Sequence, residues 1–220
     1  MATKKTKNAK KTKKTTQKDV TSKKKPSTSK TTAKKSSKKT AAKKKAGAWK
    51  IPAQTRADDE DTCWLVKSEP DVFSFADLVK EPKKTAHWDG VRNYTARNFM
   101  RDAMRKGDPV LFYHSNTKPP HVAGLCRVVK EGYPDPTAFD PREKYFDPKS
   151  KRDAPRWFVV DVKAVKALTP VSLDDMKANP NLEEMLVVQR GQRLSVQPVS
   201  RRHLHEVLRM GGVQPDDVGV

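Results

Sequence analysis

The chain has 220 residues and a formal net charge of +21, and its two cysteines, Cys63 and Cys126, form no CxxC pair, so neither a disulfide framework nor a zinc ribbon is supported. No apolar run approaches the length of a membrane span, and the first residues carry neither the apolar stretch of a secretory signal nor the arginines of a mitochondrial presequence. A soluble intracellular protein in a reducing compartment is expected.

Residues 1–47 hold 19 Lys, no Arg and one acid, Asp19, for a net +18, whereas the 28 basic and 25 acidic residues of 48–220 leave only +3. Apart from Met1 and Val20 the apolar content of 1–47 is alanine. Nothing there offsets a backbone ordering cost of roughly 1–2 kcal/mol per residue, so a disordered tail is expected. Its lysines run along the whole length, as in KKTKKTTQK, which suits a polymer of phosphates better than one small anion. The composition resembles the tails of linker histones and of some bacterial histone-like proteins, a likeness that implies DNA affinity and nothing finer. A solubilising tail, or an import signal around KKKPS at Lys23 to Ser27, is the alternative. Residues 48–61, with Trp49, Ile51 and the acidic run from Asp58 to Asp61, read as a linker, and 62–220 as one domain.

Thr62 to Lys67 (TCWLVK) predicts a buried strand, and Ser74 with Asp77 predicts a capping-box helix ending before Pro82. Asn93 caps a predicted helix through about Met104, with Ala96, Phe99 and Met100 on one side and Arg97, Arg101 and Arg105 recurring every fourth residue. After Gly107-Asp108, strands are predicted at Val110 to His114, His121 to Val129 and Arg156 to Leu168, all in one sheet. Ser172 and Asp175 begin a short helix stopped at Pro180. A strand surrounds Leu194 to Val196, and Ser200 starts a last helix that Gly211-Gly212 ends. The pattern lacks regular strand–helix alternation, so a compact α+β, barrel-like domain of five or six strands is expected.

The nuclease spacing PD…(D/E)xK occurs twice, at Pro70-Asp71 with Glu81 to Lys83 and at Pro134-Asp135 with Asp147 to Lys149, which shows how cheaply it arises among 16 prolines. His203 and His205 are two residues apart, on different helix faces, so no metal is expected. Tyr113, His114 and Ser115 alternate across a strand, so no triad is expected. No phosphate-binding or dinucleotide fingerprint is present, and no cofactor is expected. What remains is aromatic and basic. Trp64 and Trp157 are expected in the core, whereas Trp88 lies in the polar stretch HWDGVRN, where binding residues collect.

The segments WLVKSEP (Trp64 to Pro70), WDGVRNYTARNFM (Trp88 to Met100), GDPVLFYHSN (Gly107 to Asn116), YPDPTAFD (Tyr133 to Asp140), YFDPKS (Tyr145 to Ser150), PRWFVVDV (Pro155 to Val162) and RLSVQPVS (Arg193 to Ser200) together resemble the EVE domain family over about Thr62 to Leu208. The resemblance implies a PUA-like open β-barrel with flanking helices, related to YTH domains. It also implies a non-enzymatic reader of nucleic acid carrying a modified base, modified cytosine in DNA being favoured over RNA targets.

By the same resemblance Lys67, Ser68 and Glu69, with Trp88 and Asp89, line one wall of a base pocket, and His114, Ser115 and Asn116 another. Tyr145 and Phe146 stand where related readers close the cage with a tryptophan. Trp88 would supply a stacking face and Ser68, Glu69, Asp89 and Asn116 polar groups for the base edge, while Arg92, Arg97, Arg193 and Gln197 meet phosphates. A monomer is expected, without metal or membrane, in the nucleus of a eukaryote or the cytoplasm or nucleoid of a bacterium. A nucleoid or chromatin protein whose domain docks a protein is the alternative function, and a nucleic-acid-modifying enzyme the third.

Overall fold

Strand β1 (Cys63–Ser68) begins the part of the chain, residues 63–220, that a computed structural model describes. The expected tail 1–47 and linker 48–61, Trp49 included, lie outside it. In β1, Trp64 and Val66 face one apolar cluster while Cys63 and Leu65 face a second, so the strand is covered on both sides and reads as a continuous apolar run. It pairs in parallel with β3 (Pro109–His114) and antiparallel with β6 (Val196–Val199).

Helix α1 (Phe75–Lys80) starts as expected. The Ser74 hydroxyl accepts from the Asp77 N–H, and the Asp77 carboxylate accepts from the Ser74 N–H, both at 3.1 Å. Helix α2 (Tyr94–Asn98) is capped by Asn93, whose side-chain oxygen accepts from the N–H groups of Thr95 and Ala96. It passes at Phe99 into a π-helical turn through Ala103, one residue short of the expected end, so Arg105 falls beyond the helix and the basic stripe is shortened to Arg97 and Arg101. Gly132 permits this turn: a Cβ there would sit 2.5 Å from the Met100 carbonyl oxygen.

The long antiparallel ribbon of β4 (His121–Pro134) and β5 (Phe158–Ser172) carries four register shifts, which bend the sheet. A strand not expected from the sequence, β2 (Thr85–His87), pairs with β5 at Lys163, Val162 and Asp161. The sheet order is β2-β5-β4-β3-β1-β6, mixed and open, with β2 and β6 at its ends. The last strand falls three residues later than the expected end at Val196 and β5 four later than Leu168. Helix α3 (Leu173–Ala178) and helix α4 (Arg201–Met210) follow β5 and β6. In α4, Leu204, Val207 and Leu208 recur at helical spacing and are buried in the second cluster. The α+β class and the open PUA-like arrangement are those expected.

Candidate functional site

Parallel pairing sets the C-terminal ends of β1 and β3 side by side, Ser68 opposite His114. The two expected walls therefore become one rim. Ser115 donates its backbone N–H to the Ser68 carbonyl at 2.8 Å, and Asn116 donates its amide to the Glu69 carboxylate at 3.3 Å. The Ser68 hydroxyl turns inward to the Phe73 carbonyl at 2.6 Å. Asn116 holds a left-handed backbone, φ 54°, which Asn tolerates better than most residues.

The pleat divides this rim between the two faces of the sheet. On one face His114 meets the Phe112 ring edge-on at 5.5 Å, and Phe112 in turn meets Trp88 edge-on at 5.3 Å. The His114 Nε2 accepts from the Phe75 N–H at 3.1 Å. On the other face the Lys67 ammonium lies 5.9 Å from the centre of the Tyr113 ring, at a cavity of about 550 Å³ that Ser115, Asn116 and Arg193 also line. His114 and Tyr113 thus face apart, as strand alternation requires.

Trp88 is only 6% exposed. Its N–H donates to the Val160 carbonyl at 2.8 Å, prolonging the β2–β5 pairing and carrying the ring into the first apolar cluster. Asp89 beside it is half-buried; burial raises its carboxyl pKa, opposed by His87 at 3.7 Å. Gly90 has φ 70°, and a Cβ there would lie 2.7 Å from the Tyr145 ring, so Tyr145 rests directly on this turn. Tyr145 is thereby brought to Trp88-Asp89-Gly90.

Arg92 holds Tyr145 in place. Its guanidinium pairs with the buried Asp135 carboxylate at 2.8 Å, donates to the Tyr145 carbonyl, and lies 5.4 Å and 5.1 Å from the Tyr145 and Trp157 ring centres. Arg97 donates to the Arg156 carbonyl at 2.6 Å and covers Tyr94; burial and then Arg101 lower its pKa. Gln197 is 1% exposed, donating to the Leu194 carbonyl at 3.0 Å while its side-chain oxygen has no hydrogen-bond partner. Of the four expected phosphate contacts, Arg193 alone is exposed.

Three relationships among these residues were not expected from the sequence. Tyr113, Lys177 and Arg190 line the cavity, and the signal for Tyr113 was its register opposite Lys67. Tyr94 stacks on Trp157 at 5.0 Å. Asp135 and Asp147 of the second nuclease-like match bind Arg92, and Trp157 and Arg156 respectively. Among the described residues no group of three His, Cys, Asp or Glu is placed to hold a metal.

Residues 62–210 match the EVE domain model. Thymocyte nuclear protein 1 of Homo sapiens is 42% identical over 170 residues, 69% of this chain and 75% of that protein. The Danio rerio protein of the same name is 39% identical over 200 residues, 78% and 86% of the two chains. The solved structure of the human THYN1 protein in complex with 5-methylcytosine-containing DNA superposes with a TM-score of 0.65 at 42% identity, covering 70% of this chain and 99% of that one. A structure from Leishmania major superposes with a TM-score of 0.64 at 52% identity, covering 71% and 98%.

Proposed function

The chain belongs to the EVE domain family, and from that premise we propose that it binds nucleic acid and reads a modified base, methylated cytosine in DNA being the favoured ligand. The observation that carries this reading is the 42%-identical human structure in complex with 5-methylcytosine-containing DNA, which covers 99% of its own chain against this one. The rim formed by the ends of β1 and β3 supports it chemically. An extruded base needs polar groups along its edge and an aromatic face. Glu69, Asp89, Ser115 and Asn116 supply the first in this reading and Tyr145 the second; Trp88, its ring packed in the core, and Ser68, its hydroxyl turned inward to the Phe73 carbonyl, back the rim, while His114 and Lys67 hold the strand ends on either face. Arg193, exposed at the cavity, meets the phosphate backbone. Arg92, Arg97 and Gln197 hold the surrounding loops through the hydrogen bonds described above. The lysine-rich residues 1–47 add affinity for polyanion without selecting a base. The role is readout, with no reaction assigned.

A binding screen tests the proposal: the chain without residues 1–47 is measured against oligonucleotides that differ in one modified base. A preference for one modified cytosine or adenine over the plain base is expected. Equal binding across the set would leave only a general nucleic-acid or protein-docking role.

A further inference from the structure

The cavity on the Lys67 face lies between the ends of β1 and β3, helix α3 and the segment around Arg190. Four cations line it, Lys67, Lys177, Arg190 and Arg193, and no carboxylate does. Lys177 has an ion pair with Asp174 at 3.5 Å, but both side chains are well exposed and such pairs contribute little. Among the described residues Lys67, Arg190 and Arg193 have no acidic partner within ion-pair distance.

Lys67 is the most telling of the four. It is half-buried, and burial lowers its pKa because a desolvated ammonium is disfavoured. Its Nζ donates to the Gln192 carbonyl at 3.2 Å, which uses one of three N–H donors. Tyr113 beneath it is pushed up to about 12, first by burial and then by Asp174, so its hydroxyl remains a donor at neutral pH. Gly191, at φ 82°, allows the tight turn between Arg190 and Arg193. Cations that line one cavity, three of them without an acidic partner, repel one another, and a ligand oxyanion relieves that repulsion while accepting several charge-assisted hydrogen bonds.

We propose that this cavity is a phosphate-ester site, with Lys67 as its half-buried anchor and Tyr113, Lys177, Arg190 and Arg193 around it. Its volume of about 550 Å³ holds more than a bare phosphate, so the group is carried on a larger molecule. Tyr113 and Phe112 point to opposite faces of β3, so Lys67 and Tyr113 lie across the sheet from Trp88, while Ser115 and Asn116 at the strand end belong to both the rim and the cavity. A nucleic-acid strand crossing the ends of β1 and β3 would place a base on one side and a backbone phosphate on the other. That source of phosphate rests on the reading of the preceding subsection; the affinity of the cavity for a phosphate group does not.

The test follows backbone amide signals of the full chain by NMR during titration with inorganic phosphate, with a short oligodeoxynucleotide, and with chloride at matched ionic strength. Phosphate is expected to move the signals of Lys67, Ser115, Gly191 and Gln192, and chloride to leave them in place. Movement with the oligonucleotide as well identifies a backbone phosphate; movement with inorganic phosphate alone identifies a free phosphorylated molecule as the ligand, and either outcome upholds the site. Lys67→Met is expected to weaken phosphate binding about tenfold, and Arg193→Gln, an exposed position that the fold does not need, in the same direction. Phosphate shifts confined to residues 1–47, or matched by chloride, would overturn the proposal. Methyl-selective binding without cavity shifts would sink this site alone, and cavity shifts without methyl selectivity would sink the base reading alone.

Discussion

His114 and His121 are hydrogen-bonded ring to ring, Nδ1 to Nε2, at 3.2 Å. The neighbours determine both tautomers. The Phe75 N–H leaves the His114 Nε2 as an acceptor, so Nδ1 carries the proton and donates to the His121 Nε2; the His121 Nδ1–H then donates to the Pro119 carbonyl at 2.9 Å. This relay closes the β3–β4 hairpin bearing Ser115 and Asn116.

Burial, and then electrostatic repulsion with His121 on protonation, lower the His114 pKa from its ordinary 6.5, and burial lowers that of His203 too. Below 6.5 the unfolded chain takes up protons that the folded chain withholds, so stability is complete above that value and falls as the pH drops toward the lowered pKa. Urea midpoints are expected to decline from neutral pH to about pH 5, with a smaller decline in His114→Gln, the remainder coming from His203. Equal slopes in the two proteins would remove His114 from this account.

Arg92→Ala is expected to destabilise the fold by about 2–4 kcal/mol, because the Asp135 carboxylate is left buried without its cation and Tyr145 loses its hold over Gly90. Arg92→Lys keeps the charge but not the paired donors and should recover only part of this. Chemical denaturation measures both. Unchanged midpoints with weakened nucleic-acid binding would instead make Arg92 a ligand contact.

Gly132→Ala forces a methyl group against the Met100 carbonyl and the Arg101 backbone, neither of which moves without disturbing the π-helical turn. A loss of about 1–3 kcal/mol is expected from overpacking. At Gly107 nothing lies within 4 Å of an added Cβ, so alanine there meets only the cost of φ 97°. Thermal denaturation of the two variants separates the contact from the backbone effect.

Nucleic-acid binding by the full chain should be steeply salt-dependent. If 6–10 lysines of residues 1–47 engage phosphates, affinity falls roughly 10³–10⁵-fold between about 50 and 200 mM salt. A fluorescence titration at the two salt concentrations, with and without residues 1–47, measures their share. A shallow slope in the full chain would assign the lysines another role.

Local rules located the elements with strong local signals. The Ser74–Asp77 capping box, the Asn93 cap and the buried run of β1 depend on neighbours in sequence, and each appears where expected. β2 was illegible because Thr85–His87 is three residues long and exists through its pairing with β5. The polar stretch around Trp88 suggested an open loop; continuation of that pairing draws the ring into the core instead. The candidate rim residues came from the family resemblance, and their division between two faces required the register of β1 against β3. For Arg92 and Gln197, expected at phosphates, sequence could not show the Asp135 carboxylate or the Leu194 carbonyl that each meets in the fold.

The most direct measurement of base reading is a competition assay with the full chain at about 200 mM salt, where polyanion affinity is suppressed. It uses two DNA oligonucleotides identical except for one 5-methylcytosine. The account predicts tighter binding of the methylated strand, with the preference reduced by Asn116→Ala at the rim. Equal affinity for both, unchanged by that substitution, would contradict it.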